Sequence, residues 1–287
     1  MSSSDPLTGG QQRWRLDIAY DGAAFSGFAY QPESTTVVGV LRETLASTLH
    51  LEAEPLIVGA GRTDAGVHAF GQVVHVDLPT TLFTTHRGPD PERLADSLNK
   101  QLRGRIQIRS ARPVRGDFHA RFSATWREYR YLVLETTPPA LGSSNAWSWA
   151  VEGPLDVALM NEVSRDVLGT HDFTTFAAAD PDLATRANAE PAPAPIRTIT
   201  RSQWLSHDGL VIYRVTANGF LHHMVRNLVG TFVQAGARRL SPDSIPDLLA
   251  ARNRAAAGPT APPQGLFLVN VEYPNREPGA SNLEPNE

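Results

Sequence analysis

The segment GAGRTDAGVHA, residues 59–69, holds the side chains of this sequence best suited to chemistry. Gly61 and Gly66 lack a Cβ and let the backbone turn tightly and approach a ligand. Between them, Arg62 and Asp64 lie two residues apart and would point to the same side of the loop. A carboxylate presented this way can attack a sugar carbon or a base carbon, and a neighbouring guanidinium favours its ionised form. On this stretch alone, a structural Asp in a Gly-rich turn is the stronger reading. Dinucleotide binding fits worse. The spacing is G-x-G-x-x-x-x-G, no Walker Lys-Ser/Thr follows, and Gly71 to Leu78 reads as a strand where a phosphate-holding helix would be needed.

Other candidates stand far along the chain. In FLHHMVRN, Arg226 follows Val225 of an apolar stripe (Leu221, Val225, Leu228, Phe232), which puts it at the stripe's edge, toward a cleft or on an open surface. His222 and His223 belong to neither HExxH nor a Cys/His ligand spacing, and are read as structural or as contacts to a bound partner, not as catalytic groups. Tyr129 in REYRY is a strand position that a core tyrosine would also fill, and Asp21 in YDG is first a turn residue.

Strands and helices must position these groups. Trp14, Leu16, Ile18 and Tyr20 alternate with polar or small neighbours, as a half-buried strand does. Val38, Leu41, Leu45 and Leu49 recur at helical spacing, and short strands over 55–60 and 72–78 flank the Gly-rich motif. A helix is predicted with Asp90 as N-cap, Pro91 at its first position and Leu94, Leu98 and Leu102 on one face. Farther on, Tyr129, Tyr131 and Val133 mark a strand, and Leu155, Leu159, Val163 and Val167 a helix opened by Pro154. Strands follow over 196–204 and 210–217, then the stripe at Leu221, a short helix from Ser241 and Pro242, and a last strand through Phe267, Val269, Val271 and Tyr273. Mixed elements without regular βαβ spacing predict an α+β fold with antiparallel sheet. Residues 1–12 and 274–287 read as disordered tails, and 177–195 as an Ala/Pro-rich loop.

Composition narrows the class. Cys is absent, which removes disulfides, thiolate zinc sites and cysteine nucleophiles together and fits a reducing cytoplasm. The first residues have neither the basic nor the apolar region of a secretory signal, and no apolar run approaches bilayer length. A net charge of −4 speaks weakly against a nucleic-acid partner, but its distribution speaks for one. Lys100 to Arg130 carries nine basic residues against Asp117 and Glu128, and Arg197 to Arg239 six against Asp208. Such stretches suit an RNA groove or a solvated face.

RLDIAYDGAAFSGF, VGAGRTDAGVHAFGQVVHVDL, RFSATWREYRYLV, HDFTTF followed by PIRTI, NGFLHHMVRNLVGT and GLFLV occur in this order. Together they resemble the tRNA pseudouridine synthase A family, from about residue 13 to residue 273. The resemblance implies a cofactor-independent isomerase. It would break the N1–C1′ bond of a tRNA uridine at positions 38, 39 or 40 of the anticodon stem-loop and rejoin the base through C5. It implies Asp64 as catalytic carboxylate, Arg62 as the arginine that displaces the target base, Tyr129 as the aromatic stacked on that base, and Arg226 as the partner of the carboxylate. It also implies two α/β halves, 13–112 and 113–273, joined through a mainly antiparallel sheet with a cleft between them, in a cytoplasmic homodimer that binds tRNA. Base flipping gives the aromatic its purpose, since stacking returns about 1–3 kcal/mol of the unstacking cost. The chain departs from the family's usual pattern at Gly27-Phe28-Ala29-Tyr30-Gln31, after Phe176, and in the length of the stretch before Pro195. Two other readings compete: a non-catalytic tRNA-binding module, and a nucleoside or glycoside hydrolase, which would need a second paired carboxylate.

Overall fold

The computed structural model describes residues 10–83, 91–136, 146–179 and 194–274. Asp90 and most of the Ala/Pro-rich loop lie outside the described residues. The chain divides into two compact units, one of Met1–Thr63, Phe70–Thr125 and Val271–Glu287, the other of Asp64–Ala69 and Trp126–Asn270.

In the first unit, β1 (Gln11–Tyr20) lies between β4 (Ile106–Pro113) and β3 (His68–Pro79), and β2 (Ile57–Gly59) pairs with β3. β1 and β4 run antiparallel from Trp14↔Pro113 to Tyr20↔Ile106, with a register shift between Asp17 and Ile18. β1 begins at Gln11, so Gln11 and Gln12 are strand and not tail; the Gln12 amide donates to Val114 O at 2.9 Å and extends the pairing. Helices α1 (Val37–Leu49) and α2 (Pro91–Leu102) pack on each other and α2 on β4, with Leu41, Leu45, Leu94, Leu98 and Leu102 buried, as are Leu16, Ile18 and Leu78. Thr36 caps α1 by accepting from Gly39 N. α2 is tied to β4 at the shifted register, where the Asn99 amide donates to Ile108 O and its carbonyl accepts from Ile108 N, at 2.9 and 2.7 Å.

In the second unit the strand order is β10 (Leu266–Glu272), β5 (Trp126–Thr136), β9 (Leu210–Ala217), β8 (Ile196–His207) and β7 (Gly169–Asp172), with β6 (Trp149–Glu152) parallel to β5. β5–β9, β8–β9 and β7–β8 are antiparallel. β5 and β9 keep strict alternation, and Tyr131, Val133, Val211, Tyr213 and Val215 are all fully buried. Helix α3 (Val157–Ser164) docks on β8 by the same device as α2, a reciprocal pair between Asn161 and Trp204 at 2.9 and 2.8 Å. α4 (Met224–Gly236) packs Phe232 edge-on against Trp204 and Tyr213, and α5 (Ser244–Ala251) follows. Three predicted helix starts move: α3 begins at Val157 with Asp156 as N-cap, so Pro154 and Leu155 precede it and Val167 lies in the 3-10 turn that follows. Ser241 and Pro242 precede α5, whose flanking residue is Asp243, and α4 starts at Met224, so Leu221 lies outside it. No helix among the described residues is long and apolar enough to cross a membrane.

Candidate active site

The Gly-rich motif is a loop pinned at its start. Ala60 N donates to Val73 O, the Gln72 amide to Gly61 O, and Phe28 N to Thr63 O, all between 2.8 and 3.0 Å. The buried Tyr20 hydroxyl meets Thr63 Oγ1 at 2.8 Å. Phe28 lies with its ring on Gly59, where a Cβ would collide with Cζ. The ring therefore braces the root of the loop. From Asp64 the chain belongs to the second unit. Val67 N donates to Asp64 O at 3.1 Å, and Gly66 turns the chain at φ +79°, a left-handed conformation that glycine takes without steric cost. His68 and Ala69 then pair in parallel with Phe267 and Leu268.

Three nitrogen side chains converge on the Asp64 carboxylate. Arg226 Nη1 donates to Oδ2 at 2.8 Å, His223 Nε2 lies 3.1 Å from Oδ2, and His222 Nε2 lies 3.5 Å from Oδ1. Asp64 stays 27% exposed, so the carboxylate is held yet reachable. Burial would raise its pKa, but the hydrogen bond and charge of His223, followed by those of Arg226, outweigh it and bring the group down to about 2. Asp64 is therefore an anion throughout the physiological range.

The donors share one foundation, the N-terminal end of α4. His223 is its N-cap residue, at φ 58° and ψ 4°, a left-handed conformation that costs a non-glycine residue energy. Arg226 sits in the first turn, with Nε donating to Ala261 O at 2.7 Å while Ala261 N donates to Arg226 O at 3.1 Å. One guanidinium edge is thus spent on positioning and another on Asp64. Ala261 is in turn fixed by its neighbours. Gly230 lets Pro259 O lie where a Cβ would come within 1.7 Å, and the fully buried Asn227 accepts from Thr260 Oγ1 and Arg254 Nη2 while donating to Phe176 O. Tyr131 adds a strut: its hydroxyl donates to Pro262 O at 2.8 Å, and burial pushes its pKa well up, so it stays protonated.

Of the residues singled out in the sequence, Asp64 and Arg226 meet directly. Tyr129, on β5, is 8% exposed and packs edge-to-face on Phe220 at 5.0 Å, in the same segment that carries His222, His223 and Arg226. Arg62 is exposed and belongs to the first unit. Asp21 caps a short 3-10 turn, accepting from Ala23 N at 3.0 Å. Sequence reasoning missed the contacts of His222 and His223 with Asp64, because the apolar stripe carried the helix back through them to Leu221. Helical spacing held no signal for them, since both precede α4 and His223 is left-handed. Asn227 was missed as well; a polar residue inside a buried stripe marks such a network.

Asp64, His222 and His223 bring ligand-type atoms within 4.8 Å of one another. The guanidinium on Oδ2 already supplies the positive charge that the carboxylate requires, so the group reads as an ion-pair cluster.

Comparison with known proteins gives the family of the chain. The sequence pattern of the family described as tRNA pseudouridine synthase matches residues 18–123 and 163–274, and the chain belongs to that family. The mixed α/β architecture with mostly antiparallel strands is thus a pseudouridine synthase fold. Among its relatives, the chain is 38% identical over 268 residues to tRNA pseudouridine synthase A of Gluconobacter oxydans, covering 93% of this chain and 91% of the relative. It is 39% identical to the proteins of that name from Geobacillus kaustophilus, over 91% of this chain and 95% of the relative, and Bacillus subtilis, over 92% and 100%.

Proposed function

We propose that this protein isomerises uridine to pseudouridine in tRNA, at positions 38, 39 and 40 of the anticodon stem-loop, with Asp64 as nucleophile. One observation carries the reading: motifs 162 residues apart in sequence meet in the Asp64–Arg226 ion pair, which leaves an ionised and accessible carboxylate. Such a group serves a reaction in which the bond between sugar and base is opened and the base is kept. Attack at C1′, attack at C6 and a glycal-type route all need the same anion. Arg226 orients it and holds its charge, Tyr129 receives the flipped base, and Arg62 takes the place that the base leaves in the stack. No added cofactor enters this scheme. The reading extends to a cytoplasmic homodimer that contacts tRNA through its arginine-rich stretches, and sedimentation of the purified protein with and without tRNA tests that assembly.

The decisive experiment maps nucleosides by chromatography in a tRNA transcript after incubation, because pseudouridine and uridine have equal mass. The wild-type protein should form pseudouridine in the anticodon stem-loop, and Asp64→Asn should form none while binding tRNA with similar affinity. Substantial turnover by Asp64→Asn would sink the nucleophile assignment. Binding with no nucleoside change by either protein would leave a tRNA-binding module, and free uracil would mark a hydrolase.

A further inference from the structure

The two histidines beside Asp64 are not equivalent, and the hydrogen bonds separate their tasks. His222 Nδ1 lies 2.7 Å from Ala179 O. A carbonyl only accepts, so Nδ1 carries the hydrogen, and in the neutral ring Nε2 then holds a lone pair. Ala178 N donates to His222 O at 2.9 Å, so the same short segment grips the residue at backbone and ring. The rings of His222 and His223 lie 3.9 Å apart, which limits how far either can rotate.

That lone pair faces the carboxylate. His222 Nε2 is 3.5 Å from Oδ1, the spacing of two acceptors turned toward each other, whereas His223 Nε2, at 3.1 Å from Oδ2, is placed as a donor. Oδ2 is occupied by His223 and Arg226, and Oδ1 is the oxygen left for His222. A proton arriving on His222 Nε2 would turn an acceptor–acceptor contact into an ion pair with Asp64. With a side chain 28% exposed, the ring can be reached from solvent or by a bound base.

We propose that His222 is the proton acceptor of the isomerisation, taking the C5 hydrogen of the target uracil on Nε2. The assignment rests on the functional reading above. Whichever carbon Asp64 engages first, the last step is the same. Once the C1′–C5 bond has formed and Asp64 has been released as an anion, C5 carries both the sugar and its original hydrogen. The C5–H bond breaks, its electron pair closes the C5=C6 double bond, and the former C6=N1 pair returns to N1. The proton passes to His222 Nε2, and N1 takes one proton from the resulting imidazolium. Nothing is oxidised or reduced and no further reagent is consumed.

His222→Asn is the informative variant, because an amide can still donate toward Ala179 O while the basic nitrogen is lost. Single-turnover conversion of a tRNA transcript should slow about 100-fold, the lower range for removal of a general base, with tRNA affinity unchanged. Transcripts made with 5-deuterouridine add a readout that a structural role would not move. The isotope effect on product formation should be larger in His222→Asn than in the wild type, since loss of the C5 hydrogen becomes rate-limiting. An unchanged rate, or a slower rate without a larger isotope effect, overturns the assignment. If His222→Asn fails to fold by thermal melt, His222→Gln carries the same test. A wild-type protein that forms no pseudouridine defeats the functional reading itself, whereas normal turnover by the histidine variants defeats only the role of His222.

Discussion

Asp64 is held by His223 and by the guanidinium of Arg226, and these outweigh a burial that on its own would raise its pKa. A carboxylate whose folded pKa lies below its ordinary value stabilises the fold above about 3.8, and that contribution is lost as pH falls toward about 2. By the size of the shift it amounts to about 2 kcal/mol. Loss of activity near pH 5 should therefore arise from groups other than Asp64. Arg226→Gln removes both the charge and the Ala261 contact. We expect turnover to fall about 100-fold, as for loss of one preorganised donor, and the acid limb of the pH–rate profile to move upward as Asp64 becomes easier to protonate. Arg226→Lys keeps the charge but not the forked geometry, so it should fall between wild type and Arg226→Gln. A pH–rate profile unchanged in Arg226→Gln would show that this ion pair does not set the state of Asp64.

At the level of elements, the site depends on how closely α4 meets the segment around Pro259. Gly230→Ala places a methyl where the Pro259 carbonyl now lies. The backbone must give way, at about 1–3 kcal/mol for overpacking, and Ala261 moves with it. A lowered midpoint of thermal unfolding should accompany a loss of turnover larger than stability alone explains. An unaltered melting curve would mean that the loop is free to yield. A second prediction belongs to β3. His75 is buried with Nδ1 accepting from Ala120 N at 3.1 Å. Burial first, then the charges of Arg13 and His119, lower its pKa from 6.5 to about 4, against a smaller opposing pull from Asp77. The folded protein thus keeps this ring neutral while the unfolded chain protonates it. Stability falls as pH drops from 6.5 to about 4, by up to about 3 kcal/mol. His75→Asn retains an acceptor for Ala120 without a titrating ring, so chemical denaturation across that window should show a flatter pH dependence than wild type.

Across the whole molecule, a net charge of −4 conceals a strongly uneven distribution. The basic stretch is displayed outward around β4: Ile106 and Ile108 are buried, while Arg105, just before the strand, and Arg109, at its register shift, are exposed. Phe122, next to Arg121, is 77% exposed, an arrangement suited to stacking on a nucleotide. If this face meets tRNA backbone, replacing Arg105 and Arg109 together with Gln should lower the slope of log affinity against log salt by about 2, one phosphate contact each. Filter binding over a salt series reads this directly, and an unchanged slope would place the groove elsewhere.

The sequence alone determined a good deal of this protein. Alternation at Trp14, Leu16, Ile18 and Tyr20 and at Tyr129, Tyr131 and Val133 fixed strands, because a sheet buries every second side chain. The order of motifs carried the family, and with it Asp64 and Arg226 as partners. Boundaries were less legible: the stripe from Leu221 to Phe232 reads as one helix, yet the chain turns at His222 and His223 and α4 starts only at Met224. Periodicity records which side chains are buried and is blind to a left-handed residue that ends a turn. That turn, the tautomer set by Ala179 O and the seam around Asn227 exist only once segments remote in sequence are packed together. A hydrogen bond needs both partners in place, so tertiary structure alone decided what surrounds the carboxylate that the Gly-rich loop presents.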